Sequence, residues 1–182
     1  MLFRSMEEYG PSVDDLPDSL QQYYYFQKSL ISLASGDRTG AMGMLEQAIN
    51  DDADQGWDGQ QVFYLTLSSA LQFDAGNAEL AMQRLGRAER AVRRARLNGV
   101  DDASINYTES SIHAMRGRSD EALASLQSAY DRGFRGIWML DMDLRMDSVR
   151  DEPQFLAIRQ QIEDDMAQAR LEVASLTVAT IY

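Results

Sequence analysis

Apolar residues along this chain recur three and four positions apart, and strict apolar–polar alternation is nearly absent, which predicts helices and no sheet. Within that pattern one block occurs three times. Ser29, Gly36, Ala41, Leu45 and Ala48 return as Ser69, Gly76, Ala81, Leu85 and Ala88, and again as Ser110, Gly117, Ala122, Leu126 and Ala129. The copies start 40 and then 41 residues apart with no gap inside the block, and Ile31/Leu71/Ile112 and Met42/Met82/Leu123 stay apolar throughout. A gap-free match at five anchors in three copies is an internal repeat.

Each copy reads as a helical hairpin. The serine sits where two helices must approach closely. The glycine follows seven residues later, where a helix stops and the chain takes a left-handed conformation that glycine adopts at least cost. Asp37, Asn77 or Ser119 is then placed to cap the next helix. The Ala, Leu, Ala set has spacings of four and three, so all three residues share one helical face. One hairpin cannot bury its own apolar face, so the copies are expected to stack.

Element boundaries follow from local signals. Met1–Gly10 reads as a short amphipathic helix with Leu2, Phe3 and Met6 on its apolar side, and Pro11–Asp18 as an acidic link. Ser19 with Gln22 is a capping-box pattern opening a helix that runs to about Ser35. Its partner covers about Thr39–Asn50. The segment Asp51–Gly59 is polar apart from Trp57, and Asp58 with Gln61 is a second capping pattern. Helices are then predicted over about Gln60–Asp74, Ala78–Asn98, Ala103–Arg116 and Asp120–Arg132. Asp151 caps a last helix with Pro153 in its first turn and Gln154 completing the box, extending to about Ser175. That helix would cover the open face of the third repeat, leaving Leu176–Tyr182 as an apolar, β-branched tail. The expected layout is an arm over 1–18, repeats over 19–133 (about 19–52, 59–98 and 102–133), and a capping segment with the last helix and tail over 134–182.

The three blocks resemble the tetratricopeptide (TPR) repeat, whose pattern is a small residue in the first helix, a turn, then Ala, a bulky residue four on and Ala three beyond. Two features depart from that pattern. The period of 40–41 exceeds the standard of about 34, and the proline that often closes a repeat is missing. The resemblance covers roughly residues 18–133. Further on, Gly133-Phe134, Asp141, Arg150-Asp151-Glu152-Pro153-Gln154-Phe155 and Ile158 with Ile162 look like the closing segment of TPR regions in CadC-like and TolB-like bacterial regulators and class III nucleotide cyclases, over about 130–166. No winged-helix or cyclase domain accompanies it here. The resemblance implies an all-α solenoid of three TPR-like hairpins with a helical cap, acting as an interaction module in a bacterial signalling or transcriptional regulatory system.

Composition narrows the chemistry. With 182 residues, 45% hydrophobic and 25% charged, the chain reads as one globular domain. Prolines stand only at 11, 17 and 153, so nothing interrupts helices between the last two. There is no cysteine, which removes disulfides, thiol catalysis and cysteine-based zinc sites. No apolar run is long enough for a membrane span, and Met1–Gly10 lacks the apolar core of a signal peptide. A net charge of −12 argues against direct nucleic-acid binding. A soluble chain of either the bacterial cytoplasm or the periplasm is expected.

In a stack of such hairpins the first helices line a concave surface, on which the pattern projects Tyr23, Phe26, Phe63, Thr66, Tyr107 and Met115. By resemblance and by helix-in-groove physics, that face would hold a protein or peptide partner. Aromatic residues at helical spacing also serve as core, and part of the set is expected to pack internally. Arg84, Arg87, Arg90 and Arg94 form a basic stripe on the long helix: a docking surface for an acidic partner or phosphate, an internal contact with the Glu7–Asp18 arm, or a solvated face. Asp141, Asp143, Asp147 and Glu152 stand at positions 1, 3, 7 and 12 of a calcium-type loop, but Met146 occupies the position that requires glycine and Arg145 one that requires a ligand. His113 is the only histidine, so no histidine pair exists for a metal. Asp14-Asp15, Asp101-Asp102 and Asp164-Asp165 are adjacent and point apart on a helix. No nucleotide-binding or nucleophile motif is present. The chain is therefore expected to be a non-catalytic interaction module with no cofactor and no metal. The alternatives are a homo-oligomerisation module, in which the last helix and tail pair as a homodimer, and a small-ligand sensor domain of a larger regulator.

Overall fold

Left-handed glycines set the frame. Gly36, Gly76, Gly99, Gly117 and Gly133 have φ between 69° and 97°, and each ends a helix. At Gly36 the amide donates to Leu33 O at 3.0 Å, and the next amide, Asp37 N, reaches Ser32 O at 2.8 Å. The same pair of bonds recurs at Gly76 and Asn77, and at Gly117 and Arg118. This double closure satisfies carbonyls that the helix end would otherwise leave bare. The glycine expected in each repeat does the work assigned to it.

The computed structural model describes residues 12–50 and 58–179, with side chains as far as 175. Within them are eight α-helices: α1 (Asp18–Ala34), α2 (Arg38–Ala48), α3 (Gly59–Asp74), α4 (Ala78–Leu97), α5 (Ala103–Met115), α6 (Ser119–Asp131), α7 (Ile137–Met142) and α8 (Pro153–Ala179). Single 3-10 turns occupy Val13–Asp15 and Leu144–Met146. There is no strand among the described residues, so the all-α reading holds. The expected Met1–Gly10 helix and most of the Asp51–Gly59 segment lie outside the described residues.

Caps correct several boundaries. Pro17, not Ser19, stands at the head of α1. Its carbonyl already accepts from Leu20 N at 2.8 Å and Gln21 N at 3.1 Å, so the helix begins one residue before the expected cap. Asp37 caps α2 through Gly40 N, and Asp58 caps α3 through Gln60 N and Gln61 N. Gln61 does not close the expected box, because its side chain is spent elsewhere (below). Ser119 lies inside α6, where Arg118 occupies the cap position without a side-chain bond. The last helix continues past Ser175 to Ala179, and the capping segment before it contains α7 and a 3-10 turn, for which no element was predicted.

The contacts divide the chain into two compact units, Met1–Ala91 and Val92–Tyr182. The division falls inside α4. In the N-terminal unit α1 packs on α2 and α2 on α3. Ala41, Leu45 and Ala48 are fully buried, as are Ala81, Leu85 and Ala88. Ser69 shows why a small residue is needed on the facing helix: its hydroxyl donates to Ala81 O at 2.8 Å, so the helices approach to hydrogen-bond range of a backbone. In the C-terminal unit Ser110 repeats this with Ala122 O at 2.7 Å. Ser29 departs, donating to Phe26 O in its own helix at 2.6 Å.

The C-terminal core gathers Tyr107, Ala114, Leu126, Leu140, Met146 and Phe155 with the inner face of α8. Each part of the 133–155 motif has a contact. Phe134 stacks on Tyr107 with ring centres 4.4 Å apart. Arg159 from α8 grips Asp141 through Nε at 2.6 Å and Nη2 at 2.9 Å. Arg150 donates to the carbonyls of Leu140, Asp141 and Asp143 at 2.7–2.9 Å, and Phe155 is buried.

Candidate functional site

In the N-terminal unit aromatic side chains from α1 and α3 meet. Phe26 lies edge-to-face with Phe63 at 5.7 Å and stacks on Tyr64 at 4.4 Å. Phe26 and Phe63 are half-buried, and Tyr23, one turn before Phe26, is 46% exposed. Tyr64 is buried beneath them. Burial pushes its phenol well above the ordinary tyrosine value, with the charge of Asp58 adding to the shift. The platform is set by a buried glutamine that the sequence reading used only as a cap. Gln61 donates to Gln22 Oε1 and to Ala48 O, both at 3.0 Å, and accepts from Asn50 N at 3.0 Å. Three helices are thereby fixed around the two phenylalanines.

Thr66 and Tyr107 do not lie on an open face. Thr66 is fully buried, and its hydroxyl donates to Phe63 O at 2.9 Å. Tyr107 is 4% exposed, because the segment carrying Phe134 and Asp143 covers α5 in the C-terminal unit. Met115 is half-buried there. Periodicity alone marks the face of a helix and says nothing of what a later segment lays over it.

Arg84 and Arg87 of the arginine stripe are used internally. Arg84, mostly buried, pairs with Glu46 on α2, and Arg87 donates to Asn50 O at 2.9 Å. The Glu7–Pro11 part of the arm considered as a partner for the stripe lies outside the described residues. Arg90 and Arg94 are exposed. Further along, Arg96 joins Glu109, Asn106 and Asp101, and hydrogen bonds from Arg132, Asn106 and Arg96 hold the Asp101 carboxyl down to about 2.

The most enclosed charges are Asp143 and Arg145. The Arg145 side chain has no exposed surface and that of Asp143 almost none. Arg145 Nε donates to both carboxylate oxygens at 2.8 and 3.0 Å, Nη2 adds a bond of 2.5 Å, and the Tyr107 hydroxyl donates to Oδ2 at 2.7 Å. Burial alone would raise the Asp143 pKa, but the Arg145 charge and these donors outweigh it and hold it below the usual range. Burial likewise works against the Arg145 charge, and Asp143 more than restores it. Asp141, Asp143 and Asp147 each face a different arginine.

No family model, curated protein or solved structure matches this chain.

Among the described residues no three His, Cys, Asp or Glu side chains gather as metal ligands, and no helix is long and apolar enough to cross a membrane. What the N-terminal unit presents is a half-exposed aromatic surface; what the C-terminal unit holds is a buried ionic pair with almost no solvent access.

Proposed function

We propose that this chain is a non-catalytic protein-interaction module, a TPR-like repeat domain that holds a segment of a partner protein against the aromatic surface of α1 and α3. The observation that carries this reading is the Phe26–Phe63 pair, half-exposed and fixed from beneath by Tyr64 and Gln61, with Tyr23 beside it. Rings held in this way lose little conformational freedom on binding, so the apolar area they bury against a partner is returned largely as affinity. The repeat anchors, their left-handed glycines and the Ala-Leu-Ala faces support a TPR-like register. The closing segment over 130–166 suggests a bacterial signalling or transcriptional regulatory setting.

The test is capture from bacterial lysate with the parent chain and with a Tyr23→Ala/Phe63→Ala variant of equal helicity. A protein retained by the parent and lost by the variant supports the reading. Identical captured sets would overturn it as the binding surface.

A further inference from the structure

The Ala-Leu-Ala face occurs a fourth time. Ala167, Leu171 and Ala174 on α8 repeat the residue types and the spacings of four and three found in each repeat. In the repeats all nine of these side chains have no exposed surface. On α8 all three are exposed, Leu171 by 67%. Among the described side chains the helix is seated through its first half, by Phe155, Ile158 and Ile162, with Met166 partly packed and Asp165 held by Tyr130 and Arg135. From Ala167 to Ser175 every side chain faces solvent. Leu171 follows Ile162 by nine residues, a rotation of about 180° at 3.6 residues per turn, so the C-terminal core lies on the opposite side and cannot reach it. Inside the chain this small-large-small face is used only against another helix. A solvated helix end is marginal on its own, more so with Val173 and Thr177 in it.

Charge identifies the kind of helix. Along one flank of the Ala167–Leu171–Ala174 face run Asp164, Gln168 and Glu172, one turn apart. Asp164 accepts from Gln160 and Glu172 from Gln168, both at 2.9 Å, so neutral amides leave both negative charges standing. Glu163 edges the other side, where Arg170 is the lone base of the 167–175 stretch. A second copy of this chain would bring a further net charge of −12, and an antiparallel pair centred on Leu171 would set Arg170 against Arg170.

We propose that the outer half of α8 is a docking face for a basic amphipathic helix of a partner protein, with small and aliphatic residues over Leu171 and Lys or Arg beside Asp164 and Glu172. It shares no residue with the aromatic surface of α1 and α3.

The experiment uses the full chain and two labelled helical peptides of about 18 residues, long enough to hold a helix. Both carry the same Ala/Leu face, one flanked by Lys and the other by Glu, and binding is read by fluorescence anisotropy. The Lys peptide is expected to bind, to weaken as salt rises, and to lose at least about tenfold in affinity with Leu171→Asp and with Asp164→Lys/Glu172→Lys. All three positions are exposed, and equal helicity of the variants confirms retained folding. Tyr23→Ala/Phe63→Ala is expected to leave peptide binding unchanged, so failure here and failure of the aromatic surface are read separately. Absence of Lys-peptide binding, equal binding of the Glu peptide, or indifference to Leu171→Asp would overturn the proposal. So would a parent dimer in light scattering that Leu171→Asp dissolves, which would assign the face to a second copy.

Discussion

The Tyr107 hydroxyl donates to Asp143 Oδ2 at 2.7 Å across 36 residues of sequence, and the carboxylate it reaches is already held by Arg145. This bond fastens the 133–152 segment to α5, and through the grip of Arg159 on Asp141 the same segment is tied to α8. The charges are so enclosed that each depends on the other.

Asp143→Asn and Arg145→Met are each expected to destabilise by about 3–5 kcal/mol, since each leaves one buried charge uncompensated. The double variant Asp143→Leu/Arg145→Met is expected to cost less than either single change, because it removes both charges together. Tyr107→Phe should cost about 1–3 kcal/mol, leaving one carboxylate oxygen short of a donor. Urea titrations of the four variants measure all of this. A double variant as unstable as the sum of the singles would contradict the pairing.

Acid should loosen the C-terminal unit through the same carboxylate. Asp143 holds its proton less tightly when folded than when unfolded, and Asp101 behaves alike, down to about 2. As the pH drops below the unfolded-state value of about 3.9, the unfolded chain takes up protons first, and the stability these groups contribute is lost toward the folded values. The parent melting temperature should therefore fall steeply between about pH 4 and pH 2. Asp143→Asn should begin lower and fall less over that window. Parallel curves would show that Asp143 does not carry the linkage.

Gly36→Ala, Gly76→Ala and Gly117→Ala are expected to cost about 1–2 kcal/mol each. No atom lies within 4 Å of an added Cβ at any of the three, so the penalty is the left-handed backbone alone. Gly43→Ala, with equally open space and no positive φ, should be neutral or slightly stabilising inside α2. Chemical denaturation compares them directly.

The aromatic surface separates binding from stability. Tyr23→Ala removes an exposed ring and should change stability by less than about 0.5 kcal/mol. Phe26→Ala loses contacts with both Phe63 and Tyr64 and should destabilise by about 2–3 kcal/mol. Thermal melts of both variants, beside the capture experiment, test whether Tyr23 acts on a partner and Phe26 on the fold.

The helices were legible because glycine and the Ala-Leu-Ala face act locally: a left-handed stop and a helical stripe are properties of a few consecutive residues. Asp37 and Asp58 were legible as caps for the same reason. Tyr107 was misplaced because its cover arrives from Phe134 and Asp143, far along the chain. The six-residue α7 and the turn at Leu144–Met146 are too short for periodicity to register. Gln61 read as a cap because its three partners lie 11 to 39 residues away, and Glu46 was missed as the partner of Arg84 because it stands 38 residues away. The outer half of α8 repeats a pattern already seen three times, yet only its exposure set it apart from the others.

That exposure has a mechanical side. The 13 residues of α8 beyond Met166 span about 20 Å at 1.5 Å per residue, pivoting where Ile162 and Met166 rest on the core. A rotation there of about 6° would swing the tip by about 2 Å, the size of the shifts that packed helices undergo when they slide. The helix is a lever, and a load on its far end is felt first at Asp165, which Tyr130 and Arg135 hold at 3.0 and 2.8 Å beside the fulcrum.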